Sequence, residues 1–145
     1  MDAGVILAAA RSHGEVPILF GDWIAPGTTV VSIGSTVPSQ REVDPSVIER
    51  CDLMVCDVVD EVLNQSGDLL AVRELGLGAD LGQKTHSLHE LISGALDERV
   101  SAAKMPLFKS VGNGLQDIVA AGQFLDRAIA AGTAVRLPLP LYTKT

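Results

Sequence analysis

Strand-like and helical stretches alternate along this chain, which predicts an α/β fold built on a parallel sheet. Two further observations support that class. Four short runs, residues 4–10, 28–33, 52–58 and 107–111, are almost continuously apolar or β-branched, as strands buried on both faces of a parallel sheet are. The chain has 145 residues, 47% of them apolar and only 3% aromatic, so one domain with an aliphatic core of Val, Ile, Leu and Ala is expected.

The elements follow in order. Residues 4–10 read as a first strand, ended by the polar turn Arg11-Ser12-His13-Gly14. Residues 17–20 are expected to be extended, and residues 21–27 a turn or a single helical turn closed by Pro26-Gly27. The β-branched run 28–33 is a second strand, with Gly34-Ser35-Thr36-Val37-Pro38 as the loop at its carboxyl end. Asp44 is placed to N-cap a short helix, with Pro45 at its first position. A third strand, 52–58, carries Asp57 near its end. Residues 59–75 have a helical apolar stripe interrupted at Gly67-Asp68, and 76–84 is a glycine-bearing loop. Ser87 and Glu90 have capping-box spacing at the start of another helix, and 97–104 is a polar connection. The run 107–111, the turn Gly112-Asn113-Gly114 and a helix ending at Gly132 then form a strand–turn–helix junction, the place where α/β sheets bind ligands. Residues 133–145, with Pro138 and Pro140, read as an extended tail, leaving 1–132 as the folded domain.

Composition excludes some functions. A net charge of -7 offers no basic face for nucleic acid and none for an anionic membrane surface. No apolar run is long enough to span a bilayer, and Met1-Asp2-Ala3-Gly4 lacks the basic start of a secretory signal, so a cytoplasmic location is expected. Cys51 and Cys56, at opposite ends of one strand, cannot meet in a disulfide and are expected to be buried thiols. His86 and His89 lack a third ligand, so no metal site is expected. Asp57 and Asp68 read as local caps, Glu42 as helix N-terminal charge, and Lys109 as a solvent-facing strand-end lysine.

Taken together, several stretches resemble the ornithine cyclodeaminase/mu-crystallin family. They are Val30-Val31-Ser32-Ile33-Gly34-Ser35 with Pro38 and Arg41-Glu42-Val43-Asp44; Val55-Cys56-Asp57; Ser66-Gly67-Asp68; Ser87-Leu88 with Glu90-Leu91 and Gly94; and Leu107-Phe108-Lys109-Ser110-Val111-Gly112 with Leu115-Gln116-Asp117. The resemblance covers nearly the whole chain. It implies a partial Rossmann-like three-layer fold, with about four parallel strands flanked by helices. It also implies that family members run about twice this length, and that this chain starts near the fourth Rossmann strand. The glycine-rich pyrophosphate turn and its acidic ribose reader are then missing, and no Gly-x-Gly-x-x-Gly occurs in the sequence.

By the same resemblance, Ser110 and Val111 would lie near the nicotinamide of NAD(P). Gly34 and Ser35 would line the same crevice, and Arg11 and Ser12 would lie near a ribose. Thr36 falls where ornithine deaminases carry a catalytic aspartate, and threonine is no general base at neutral pH, which argues against ornithine deamination and leaves imine reduction or amino-acid dehydrogenation open. No catalytic residue is assigned. No cofactor is expected in the isolated chain, although NAD(P) is the cofactor the family implies. A first strand with a bare edge should not stay uncovered, so a homodimer is expected, through that strand or through the long last helix.

Overall fold

The computed structural model describes residues 3–10 and 16–137. Five parallel strands form one sheet: β1 (Val5–Ala8), β2 (Thr29–Ser32), β3 (Leu53–Cys56), β4 (Thr85–Ser87) and β5 (Pro106–Lys109). Their spatial order is β1-β2-β5-β3-β4, so the last strand in sequence lies at the centre of the sheet. Register places Ser32 opposite Lys109 and Lys109 opposite Cys56, which aligns the carboxyl ends of β2, β5 and β3.

The connections form two layers. On one face, α1 (Pro45–Arg50), α2 (Val59–Gln65), α3 (Gly67–Glu74) and α4 (Leu81–Lys84) cover the sheet. Their Val47, Ile48, Val62, Leu69 and Val72 pack with Val30, Met54 and Leu107 of the strands. On the other face, α5 (Leu88–Ile92) and α6 (Asp97–Ala102) close a smaller cluster, in which Leu53, Val55 and Leu96 are buried and Leu88, Leu91 and Phe108 are half-buried. The result is the expected three-layer α/β arrangement. Among the described residues, the aliphatic core that the composition implies contains no fully buried aromatic.

Local chemistry starts and stops the helices as anticipated. Asp44 Oδ1 accepts from the Ser46 N–H at 2.9 Å and Pro45 opens α1, whose missing N–H costs nothing at that position. Ser87 and Glu90 form the reciprocal capping box of α5, with the Ser87 N–H donating to Glu90 Oε2 at 2.8 Å and the Glu90 N–H to Ser87 Oγ at 3.2 Å. The buried Lys84 Nζ donates to the Ile48 carbonyl at 2.9 Å, satisfying an end of α1 that has no helical partner.

Three expectations change. β4 adds a fifth strand: it is only three residues long, half-buried, and composed of Thr, His and Ser, so it carries no apolar pattern. The segments read as a loop (76–84) and as a polar connection (97–104) contain α4 and α6, each too short for a readable helical period. β1 is not buried on both faces: Ile6 and Ala8 turn toward the main core, but Val5 and Leu7 are 62% and 63% exposed. Among the described residues β1 pairs only with β2. Cys51 and Cys56 are free, buried thiols.

Two compact units meet in sequence between Gly112 and Asn113. The second is built on α7 (Gly114–Ala130), which Asn113 N-caps by accepting from the Leu115 N–H at 2.8 Å. The helix ends where Gly132 takes φ 67°, and the Thr133 N–H returns to the Ala128 carbonyl at 3.0 Å. By helical spacing Leu115, Ile118, Val119, Gly122, Leu125 and Ile129 share one face of α7. Among the described residues no helix is long and apolar enough to cross a membrane.

Candidate functional site at the carboxyl ends of the central strands

Four candidate residues can be placed. Gly34 and Ser35 follow β2, and Ser110 and Val111 follow β5. The neighbouring strand ends bring them together: the Ser110 N–H donates to the Ser32 carbonyl at 3.1 Å. Val111 is half-buried against the main core. The Ser35 hydroxyl is turned inward, fully buried, and donates to the Gln40 carbonyl at 2.9 Å. Arg11 and Ser12 lie outside the described residues.

Beneath this edge runs a buried polar network that the sequence reading missed. Lys109 is not solvent-facing but fully buried. Its Nζ lies 2.9 Å from Asp68 Oδ2, and donates to Ser32 Oγ at 2.9 Å and to the Ser35 carbonyl at 3.3 Å. Asp68 is likewise buried, and its Oδ1 accepts from the backbone N–H of Glu42 at 2.8 Å and of Val43 at 3.3 Å. Its Oδ2 faces the ammonium as an ion pair without an aligned hydrogen bond. Glu42 does not sit as solvated charge at a helix start. It is buried, and its Oε2 accepts from Ser32 Oγ at 2.7 Å and the Gly34 N–H at 2.8 Å. Charges survive at such depth only when paired and hydrogen-bonded, and this cluster meets most of that demand. Glu42 Oε1 is a second buried carboxylate oxygen without a hydrogen bond, and no ammonium faces it as one faces Asp68 Oδ2.

Close packing at and beside the network explains two glycines. A Cβ at Gly34 would sit 2.6 Å from Glu42 Cδ and closer still to Oε1, so the loop passes over the carboxylate only without a side chain. At Gly67 a Cβ would fall 2.7 Å from the Pro38 carbonyl oxygen, which fixes α3 against the 38–42 loop.

Asp57 is more than a local cap. Its Oδ1 does accept from the Val58 N–H at 2.9 Å. Its Oδ2, however, reaches across to the end of β5, accepting from Ser110 Oγ at 2.6 Å and from the Gly112 N–H at 3.1 Å. Gly112 has φ 80°, the left-handed region that glycine adopts at little cost. The carboxylate therefore holds a tight turn at the mouth of the edge. Thr36, on the loop after β2, is tied to Gln40 Oε1 through its N–H at 2.9 Å and its hydroxyl at 3.2 Å.

A periodicity signal for Lys109 was present. It lies two residues after Leu107, so both side chains fall on the same sheet face, and Leu107 is core. Its partners come from 41 and 77 residues earlier in the chain, at Asp68 and Ser32, and no local pattern announces them.

A cavity of about 440 Å³ opens at the opposite, amino-terminal end of β3, against Asp52, Leu53, Asp80, Lys84 and Arg99. Its charged groups already have partners. Lys84 pairs with Asp80 at 3.0 Å, and Arg99 donates to the Gln83 carbonyl at 3.0 Å and to His86 Nε2 at 2.6 Å. Burial pushes the Asp52 carboxyl up, but the N–H groups of Lys104 and Met105 outweigh it and hold it below the ordinary carboxylate range. This cavity lies away from the strand-end residues.

The sequence around these strand ends falls within a match to a known family. The ornithine cyclodeaminase/mu-crystallin family model covers residues 1–132. The chain belongs to that family. Among curated relatives, the ketimine reductase mu-crystallin of Mus musculus is 37% identical over 105 residues, covering 72% of this chain and 30% of the mouse protein. Among solved structures, a probable ornithine cyclodeaminase from Bordetella pertussis Tohama I superposes with a TM-score of 0.72 at 30% identity, covering 88% of this chain and 40% of that one. The Thermococcus litoralis Delta(1)-pyrroline-2-carboxylate reductase, solved with NADH and L-proline, gives a TM-score of 0.72 at 25% identity over 92% of this chain and 39% of that one. The chain thus covers between 30% and 40% of the length of these relatives.

Proposed function

We propose that this chain is the nicotinamide-side half of an NAD(P)-binding α/β domain, of the kind used by the imine reductases and cyclodeaminases it is similar to. In this reading Gly34, Ser110 and Val111 border the nicotinamide, and the inward-turned Ser35 contributes through its backbone. The observation that carries the reading is the convergence of these residues where β2 and β5 end, over a buried charge network that stiffens the edge. The NADH named in the Thermococcus litoralis complex supports the cofactor class. The half-site fits one end of a dinucleotide only, since a pyrophosphate needs a helix-opening glycine turn and the sequence has no Gly-x-Gly-x-x-Gly. On its own the chain therefore binds dinucleotide weakly and turns over no imine. A partner segment that supplied the glycine turn beside β1 would complete a reductase.

The reading includes self-association. A second copy covers the edge of β1 that pairs with no strand among the described residues, and its exposed Val5 and Leu7. Isothermal titration with NADH, NADPH and nicotinamide mononucleotide tests the site. Weak binding shared by all three is expected, and no heat from any of them at millimolar ligand would refute it. Light scattering tests the dimer, with Leu7→Lys expected to return a monomer. A monomeric parent chain would refute the association, and a dimer abolished by Ile118→Glu but not by Leu7→Lys would move it to α7.

A further inference from the structure

The turn that leads from β5 toward the nicotinamide half-site is held by a residue on another strand. Asp57 follows β3, 53 residues before Ser110, and its Oδ2 accepts from the Ser110 hydroxyl at 2.6 Å and the Gly112 N–H at 3.1 Å. The Gly112 N–H is shared, since Ser110 Oγ also accepts from it at 3.1 Å. The other carboxylate oxygen is anchored by the Val58 N–H at 2.9 Å, which stops the side chain from rotating away. Such charge-assisted bonds are stronger than neutral ones, and a hydroxyl at 2.6 Å lies in the range of the shortest of them. Ser110, Gly112 and Asp57 thus form a closed triangle. The triangle commits the Ser110 hydroxyl proton to Asp57, and fixes the backbone of Ser110 and Val111 against the end of β2.

We infer that Asp57 is the positioning residue of the half-site. It sets which face of the Ser110–Gly112 turn is offered to a nicotinamide, and it keeps the Ser110 hydroxyl from serving as a donor to the ligand. The inference rests on the nicotinamide reading of the site and adds to it the residue that orders the site before ligand arrives. Preorganisation of this kind raises affinity by lowering the ordering cost of binding, without any contact between Asp57 and the ligand.

The test uses the full chain, ¹⁵N-labelled, as parent, Asp57→Asn and Asp57→Ala. Hydrogen exchange of the Gly112 amide is measured without ligand, and NADH affinity by titration. Asp57→Ala removes both acceptors, so the Gly112 amide is expected to exchange about 10- to 100-fold faster, the range for losing a hydrogen bond to a charged group. NADH binding is expected to weaken about tenfold or more, with core amides such as Leu107 unchanged. Asp57→Asn keeps an acceptor oxygen and restores most of both properties. Unchanged Gly112 exchange in Asp57→Ala overturns the inference. So does faster exchange with unchanged NADH affinity, which would leave Asp57 a purely structural cap. A parent chain that binds no NADH removes the nicotinamide reading itself, and the inference with it.

Discussion

Replacing Lys109 by methionine tests the buried network directly. The substitution keeps most of the side-chain volume and deletes the ammonium. It leaves Asp68 Oδ2 facing no cation, and removes the donor to Ser32 Oγ and the Ser35 carbonyl. Both members of the pair are fully buried, so solvent cannot take over the lost contacts. Breaking a buried pair by removing one partner costs about 3–5 kcal/mol. That is a large share of the roughly 5–15 kcal/mol by which a domain is stable, and corresponds to a drop in Tm on the order of 10–20 °C for this size. Lys109→Met/Asp68→Asn should recover about half of the loss or more. An asparagine can still accept from the Glu42 and Val43 N–H groups while leaving no orphaned charge opposite the methionine. Urea unfolding followed by far-UV circular dichroism measures each variant, with Lys104→Met as a surface control expected to stay within about 0.5 kcal/mol of the parent. A Lys109→Met chain within about 1 kcal/mol of the parent, or strictly additive effects in the double variant, would show that the pair does not hold the edge together.

Three further outcomes are expected. Gly34→Ala should cost about 1–3 kcal/mol in urea unfolding, because its methyl group meets the buried Glu42 carboxylate, whereas Gly82→Ala, with open space around the new Cβ, should be neutral or stabilising. Burial pushes the thiols of Cys51 and Cys56 up to about 12, so neither should react with a thiol reagent at pH 8 in the folded chain, and both should react once urea unfolds it. The Glu90 carboxyl is held down at about 2, first by the Ser87 N–H, then by the Ser87 hydroxyl and His86. A depressed carboxyl contributes stability above its unfolded value of 4.5 and loses it as pH falls toward 2, so protection of the amides at the start of α5, relative to their intrinsic exchange at each pH, should fall across that window, and Glu90→Gln should flatten the change.

Much of the fold is legible along the chain because its causes are local. Asp44-Pro45 and Ser87 with Glu90 mark helix starts by hydrogen bonds that span two or three residues. Gly132 marks the end of α7 because it can take positive φ. β4 escaped because three polar residues have no period to detect. β1 was misjudged because an apolar run reads the same whether one face or both are covered, and which faces are covered depends on where the helices land.

The carboxyl-edge residues were legible only as a family pattern, which supplied Gly34, Ser35, Ser110 and Val111 without saying what their side chains do. Asp57, Glu42, Asp68 and Lys109 each had an adequate local explanation: a cap, a helix-start charge or a strand-end lysine. Their non-local contacts run to residues 8 to 77 positions away. By itself the sequence determined the α/β class, most helix boundaries and the aliphatic core, since propensity, capping and periodicity act within a few residues. Only the tertiary structure decided that Lys109 is buried on Asp68, that Glu42 lies under Gly34, and that Asp57 closes the turn after β5. Placing β5 between β2 and β3 brings those distant strand ends together, and burial there leaves each charge stable only beside its partner.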